Sequence, residues 1–231
     1  MSALERVIVF TKAPVVGRVK TRLARALGPE EATRVYCALL SDTLRAIFTA
    51  PGLAGTITCD PGPDVFLEKL AAIWRLDLDV QRGEGLTARL EDATRRAREA
   101  GAARVIFTGA DSPTLPRAYV DLALARLRDG RDVVLGPSFD GGYTLVALGP
   151  GADPAALFAD VPWDTDRALA ITRANVERAG LSLGFVPTWY DVDVIEDLAY
   201  LRDHLAHLAP DDPSGAPETR ALIPAIFEGR K

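Results

Sequence analysis

Histidine is scarce: His204 and His207 are the only two in 231 residues. They stand three apart on a helical stretch with no third ligand in sight. A solvent-exposed pair is therefore the stronger reading and a zinc site the weaker one. With no other histidine and no G-x-S-x-G elbow, the chain also argues against a Ser-His-Asp hydrolase. Cysteine is as scarce. Cys37 and Cys59 lack C-x-x-C spacing and form neither a disulfide framework nor a metal pair, which fits a reducing cytosol. No apolar run reaches the length of a membrane span. Val7-Ile8-Val9-Phe10 is too short even for a signal-peptide core and reads as a first strand. The expectation is a cytoplasmic protein with no membrane partner. A basic excess is missing too: 27 basic residues face 32 acidic ones, for a net charge of −5. That speaks against nucleic acid as a partner, while a local basic cluster could still hold a small phosphorylated ligand. Neither the Walker pattern G-x-x-x-x-G-K-[ST] nor the dinucleotide fingerprint G-x-G-x-x-G is present. Repeats, low-complexity blocks and linkers are also lacking, so residues 1–231 read as one domain.

What is present suits a globular core: hydrophobic residues are 48% of the chain and charged ones 26%. Short β-rich runs alternate with longer helical ones. Strands are expected at Arg6 to Phe10, Thr56 to Cys59, Leu78 to Val80, Arg104 to Thr108, Asp132 to Leu135, Tyr143 to Leu148 and Leu183 to Val186. Helices are expected at Pro29 to Thr49, Asp64 to Trp74, Leu86 to Ala100, Tyr119 to Arg128, Asp166 to Ala179 and Ile195 to His207. In the third helix Leu86, Leu90, Ala93, Ala97 and Ala100 should line one face, with Arg95, Arg96 and Arg98 away from it. A short helix is expected in the Pro-rich tail. This alternation predicts a three-layer α/β/α, Rossmann-like fold whose mixed sheet is mostly parallel. Ligands of such sheets lie outside the carboxyl ends of the strands, so the loops there carry the search.

The first loop, Thr11 to Leu23, holds one glycine, Gly17, and four cations, Lys12, Arg18, Lys20 and Arg22, with Thr21 between the last two. A connection alone needs no such charge. Converging amides and cations at the end of a first strand suit phosphate, and arginine adds a planar fork for its oxygens. The second, Thr108 to Pro116, places Asp111 at a strand end, where it suits Mg²⁺ or Mn²⁺ or caps a turn; spacing alone leaves both open. The third, Gly136 to Tyr143, contains Asp140, Gly141 and Gly142. A tight turn between two strands is its stronger reading, close backbone approach to a ligand the other. The fourth, Tyr190 to Leu198, sets Asp191 and Asp193 on one face of an extended segment. Asp193 could equally cap the following helix, with Glu196 three residues on. The glycine-flanked stretch Gln81 to Leu86, including Gly85, could border a nucleotide. Trp163 reads either as core or as a pocket wall, and Asp164 and Asp166 suit the next helix's N-terminus.

The ordered set Phe-Thr-Lys-Ala-Pro with Gly-Arg-Val-Lys-Thr-Arg-Leu, Gly-Ala-Asp-Ser-Pro-Thr-Leu-Pro, Asp-Gly-Gly-Tyr, and Asp-Val-Asp with Glu-Asp-Leu resembles one family. It is that of the GT-A-like bacterial transferases labelled radical-SAM/selenodomain-associated, or arsenosugar-biosynthesis, glycosyltransferases. The match runs from about Val7 to Leu198. More distantly the chain is similar to 2-phospho-lactate and molybdenum-cofactor guanylyltransferases. The resemblance implies a nucleotide-diphospho-sugar transferase fold and a divalent metal. It implies that Lys20 and Arg22 contact phosphates, that Asp111, Asp191 and Asp193 form the metal site, and that Asp140, Gly141 and Gly142 line the acceptor side. The chain departs from the family pattern in three places. The glycine-rich loop keeps only Gly17, D-x-D is reduced to Asp111 before Ser112, and Asp164 follows Trp163 where serine is expected.

Three functions fit these residues. Nucleotidyl transfer moves an NTP's α-phosphate onto a phosphorylated small molecule. Lys20, Arg22 and Asp111 would then act catalytically. Glycosyl transfer uses an NDP-sugar, with Asp140 as base. A non-catalytic nucleotide-binding protein is the third, discouraged by acidic residues at both expected metal positions. Four cations exceed what a metal-held diphosphate needs, which favours nucleotidyl transfer. The expected partners are a nucleotide, NTP or NDP-sugar, and a small-molecule acceptor, with a homodimer as a further option.

Overall fold

The computed structural model describes residues 4–209 and 211–228. In chain order the elements are β1 (Leu4–Lys12), α1 (Thr21–Leu27), α2 (Pro29–Phe48), β2 (Ala54–Asp60), α3 (Val65–Trp74), β3 (Asp77–Val80), α4 (Gly85–Glu99) and β4 (Ala102–Thr108). There follow α5 (Arg117–Arg128), β5 (Val133–Pro137), β6 (Tyr143–Leu148), α6 (Pro154–Leu157), α7 (Ala168–Arg178), β7 (Leu183–Phe185), α8 (Ile195–His207) and α9 (Pro217–Glu228). The strands form one sheet in the order β3-β2-β1-β4-β6-β5-β7. All neighbours pair in parallel except β6, which runs antiparallel to both β4 and β5. This is the expected mixed, mostly parallel α/β sheet.

The apolar run Val7-Ile8-Val9 is continuous because β1 is central and covered on both faces. Side chains alternate across the pleat. Ile8 packs in a core with Leu90, Ala93 and Ala97 of α4, Leu157 of α6 and Val176 of α7. Val7 and Val9 face the other way, toward Ile47, Leu40 and Leu44 of α2, Leu67 of α3 and Val120 of α5. A further cluster joins α1, α2, α8 and α9 through Leu23, Val35, Leu39, Leu201, Ile223 and Ile226.

Several local expectations change. Thr21, Arg22 and Leu23 are not loop but the first turn of α1. A helix of seven residues is too short to hold itself in water. Leu23, fully buried, supplies about 1.5–3 kcal/mol of burial and pins it to the helical cluster. Ala100 is exposed and caps α4 instead of joining its buried face. Arg96 and Arg98 are half-buried: Arg96 donates to Asp92 Oδ2 at 2.7 Å, and Arg98 to the carbonyls of Gly149 and Ala152 at 2.9 and 2.7 Å. The tail helix α9 is 12 residues long. Its N-terminus is fastened by buried Asp42 of α2, which accepts from Thr219 N at 2.7 Å and Glu218 N at 3.3 Å.

Candidate active site

In this sheet β1 has β2 on one side and β4 on the other, so the crevice between their carboxyl ends is a topological switch point. The loop after β1 carries Lys20, and the loop after β4 carries Asp111. Lys20 stands between two anchors, Val19 in the α2–α3 core and Leu23 in the helical cluster. Its backbone adopts φ 44°, ψ 47° as the N-cap of α1, a left-handed conformation that costs a non-glycine residue roughly 1–3 kcal/mol. The side chain then runs inward, only 6% exposed. Its Nζ donates to Asp111 Oδ2 at 2.7 Å and to Asp193 Oδ1 at 2.6 Å. Arg22 donates to the other Asp193 oxygen at 3.3 Å.

Asp191 completes the group. One carboxylate oxygen each from Asp111, Asp191 and Asp193 lies within 4.8 Å of the others. One backbone hydrogen bond and one buried side chain hold the loops together. Val192 N donates to the Asp111 carbonyl at 3.0 Å, and the Val192 side chain is fully buried between the two aspartates of its loop. Burial opposes the Lys20 charge, yet the charges of Asp111 and Asp193 and their hydrogen bonds raise its pKa above the ordinary lysine value. Burial would raise the Asp193 carboxyl, but Lys20 and Arg22 outweigh it and hold it below the usual range. Asp191 has no such partner. Burial, then the charges of Asp111, Asp193 and Asp140, push it up to about 7 against the pull of Lys20. The cluster is thus short of positive charge even with Lys20 in place. Three hard oxygen donors with no sulfur or imidazole fit Mg²⁺ or Mn²⁺.

The other sequence candidates lie in three places. Lys12 at the end of β1, Gly17 and Arg18 in the loop that follows, and Thr21 at the start of α1 are all exposed; none of them joins the carboxylate cluster. Gly85 opens α4 with φ 76° and open space where a Cβ would point. Its loop is tied to the site's edge by Gln81, whose Nε2 donates to the carbonyls of Thr11 at 2.8 Å and Thr58 at 3.1 Å. Asp140 is close enough to act on the Asp191 carboxyl. Its Oδ1 accepts from the Ser138 hydroxyl and from Gly142 N, a tight turn between β5 and β6. Gly141 does need the absence of a Cβ, but the approaching backbone is that of Asp166 in its own chain.

One capping expectation is corrected. Neither Asp193 nor Glu196 caps α8: Asp197 reaches back and accepts from Asp193 N at 2.8 Å and Val194 N at 2.9 Å. The Asp193 carboxylate is engaged with Lys20 and Arg22 instead. At α7, which starts at Ala168, Thr165 Oγ1 accepts from Arg167 N at 3.3 Å, and Asp164 and Asp166 precede the helix. Trp163 is half-buried in the core beside Phe158 and Tyr143, its Nε1 donating to Thr87 Oγ1 at 2.9 Å.

Two supports escaped sequence reading. Tyr36 of α2 holds the end of β1: its hydroxyl accepts from Lys12 N at 2.9 Å and donates to Lys12 O at 2.9 Å. His204 is not a solvent-exposed side chain. Thr114 Oγ1 donates to the Tyr190 hydroxyl at 3.0 Å, and that hydroxyl meets His204 Nδ1 at 2.6 Å. Burial holds the His204 pKa below its ordinary value. This chain of three polar groups joins the Asp111 loop, the Asp191 loop and α8.

A protein-family profile described as "Uncharacterized protein conserved in bacteria (DUF2064)" matches residues 43–165. The chain is 30% identical over 200 residues to a phosphoenolpyruvate guanylyltransferase of Sphaerobacter thermophilus, covering 85% of this chain and 92% of that one. It is 30% identical over 213 residues to another of that name from Conexibacter woesei, covering 88% and 89%. Among solved structures, a protein from Desulfovibrio desulfuricans G20 whose description places it with nucleotide-diphospho-sugar transferases superposes with a TM-score of 0.82 at 28% identity, covering 98% and 99%. A cytidylyltransferase from Leptospira borgpetersenii shares the fold at 11% identity, with a TM-score of 0.59 and 98% of both chains covered. No helix among the described residues is long and apolar enough to cross a membrane. The chain belongs to the DUF2064 family and is a transferase with the nucleotide-diphospho-sugar transferase fold.

Proposed function

We propose that the protein is a divalent-metal-dependent nucleotidyltransferase whose donor is GTP and whose acceptor is a small phosphorylated carboxylic acid of the phosphoenolpyruvate type. The observation that carries the reading is the meeting of opposite charges at the switch point: Lys20 Nζ lies 2.7 Å from Asp111 and 2.6 Å from Asp193. A cationic loop thereby abuts a metal-ligand set. The donor and acceptor follow the names of the relatives from Sphaerobacter and Conexibacter.

In this reading an acceptor phosphate oxygen attacks the α-phosphorus. The bond to the bridging oxygen of the β-phosphate breaks, and pyrophosphate leaves with that electron pair. Asp111, Asp191 and Asp193 hold Mg²⁺ or Mn²⁺, which when bound neutralises phosphate charge at the reacting phosphorus. Lys20 and Arg22 stabilise the charge that spreads over the phosphate oxygens. Lys12, Arg18, Thr21 and the Gly17 amide flank the rest of the chain of phosphates, and Gly85 borders the nucleoside. Asp140, Gly141 and Gly142 border the acceptor. NTP use and two free cysteines support a cytoplasmic enzyme.

Glycosyl transfer is the second reading, supported by the description of the Desulfovibrio structure. A product assay with NTPs and NDP-sugars, each with Mg²⁺ and a panel of phosphorylated acids, tests the choice. Pyrophosphate formed from GTP supports nucleotidyl transfer; NDP formed from an NDP-sugar alone supports the alternative.

A further inference from the structure

Lys20 and a divalent cation are rivals for the same carboxylates. The ammonium sits in contact with Asp111 Oδ2 and Asp193 Oδ1, two of the three residues whose oxygens converge within 4.8 Å. The three carboxylates set against Lys20 and Arg22 leave at most a single net negative charge, a poor attraction for a free, strongly hydrated Mg²⁺. The lysine's Cα is fixed by Val19 and Leu23 on either side, but its four-carbon stem can carry the ammonium elsewhere without moving the backbone.

We propose that Lys20 gates the acidic pocket: it keeps free divalent cation out and releases Asp111 and Asp193 only when nucleotide phosphates arrive to take its ammonium. The site therefore selects the metal–nucleotide complex over either component. This deepens the nucleotidyl-transfer reading and rests on it for the identity of the arriving phosphate. Because coupling between two ligands is reciprocal, metal raises nucleotide affinity by the same factor as nucleotide raises metal affinity.

The test is Mn²⁺ binding, followed by the loss of the free-ion signal in electron paramagnetic resonance, on the full chain. It is run with Mn²⁺ alone and with an α,β-methylene analogue of GTP, which cannot be cleaved at the reacting bond. The wild type should bind Mn²⁺ alone weakly and at least tenfold more tightly with the analogue. Lys20→Met should bind Mn²⁺ alone at least tenfold more tightly than the wild type, and gain less from the analogue. Equal or weaker Mn²⁺ binding by Lys20→Met overturns the gate. Lys20→Gln, which keeps a hydrogen-bond donor, provides a second comparison through the Mn²⁺-induced rise in melting temperature. A larger rise than in the wild type supports the gate, and an equal or smaller one overturns it. The arm with Mn²⁺ alone contains no nucleotide. It therefore decides the role of Lys20 even if the analogue binds neither protein, a result that would sink nucleotidyl transfer instead.

Discussion

Lys20 and Asp193, 173 residues apart in sequence, meet at 2.6 Å. That contact closes the loop after the first strand onto the loop before α8, and it joins the cationic loop to the carboxylate cluster. Arg22 reaches the same carboxylate from outside, with 62% of its side chain exposed.

The two cations should therefore separate in mutagenesis. Arg22→Ala removes a solvent-exposed pair worth ~0–1 kcal/mol, so its melting temperature should stay near wild type while turnover falls through loss of one phosphate contact, about 1.5–3 kcal/mol or roughly 10–150-fold. Lys20→Ala should lower turnover at least as far and also lower the melting temperature without metal, because three carboxylates lose their buried counter-charge. Paired thermal melts and steady-state rates check this; wild-type turnover in both variants would show the loop to be a solvated connection.

Nucleotide affinity should depend on divalent cation. Asp111→Asn and Asp193→Asn each keep side-chain shape while removing an anionic ligand, and each should abolish most of the Mg²⁺-dependent part of GTP binding. Titration calorimetry with Mg²⁺ and with EDTA reads the effect directly. Unchanged affinity in EDTA contradicts a shared ion.

Tyr190→Phe tests whether the Thr114–Tyr190–His204 chain holds the two acidic loops in register. The substitution keeps the ring stacked on Trp189 but leaves the buried Thr114 hydroxyl and the His204 nitrogen without their partner, a cost of roughly 1–3 kcal/mol. Stability measured by denaturant unfolding should fall by that order, and Mg²⁺ affinity in the presence of GTP should weaken. A loss of stability with unchanged metal affinity would confine Tyr190 to a packing role.

Asp42 gives the pH dependence. Burial raises its carboxyl above the ordinary 3.8, against the hydrogen bonds it accepts from Thr219 and Glu218. The folded state thus holds this proton more tightly than the unfolded chain. The group's contribution is fully present below the unfolded value and is lost as pH rises through the raised folded value. The amide introduced by Asp42→Asn does not titrate, so the wild type should lose stability relative to that variant as pH rises from the ordinary carboxyl value through the raised folded one. Asp42→Ala, with no acceptor for two backbone N–H groups, should cost about 1–3 kcal/mol at any pH. Urea unfolding of the three proteins across that range is the check, and a difference that grows with pH in favour of the wild type reverses the sign.

The parts of the fold written in local chemistry were legible in the sequence. Tyr143–Leu148 and Ile195–His207 match their expected limits, because a glycine pair bounds the strand and regular apolar spacing marks the helix. The trio Asp111, Asp191 and Asp193 was named through the family resemblance, since spacing alone left Asp111 open between a metal ligand and a turn cap. What escaped needs partners distant in sequence. The helix α1 hangs on one buried leucine, too little for a periodic signal. Tyr36 and His204 look like ordinary helical residues until the end of β1 and Tyr190 are brought to them. Asp193 read equally as a cap and as a ligand, and only the inward path of Lys20 shows that its carboxylate is engaged elsewhere. That path depends on a left-handed backbone at a lysine, which no local rule anticipates.

The most direct measurement of the central claim follows the phosphorus atoms of the donor. GTP labelled at the α-phosphate in one reaction and at the γ-phosphate in another is incubated with the protein, Mg²⁺ and phosphoenolpyruvate. Nucleotidyl transfer predicts that the α-label appears in a new product linked to the acceptor and that the γ-label leaves in pyrophosphate, with both transfers lost in Asp111→Asn. No movement of the α-label to any phosphorylated acid, together with release of NDP from an NDP-sugar under the same conditions, would contradict the account.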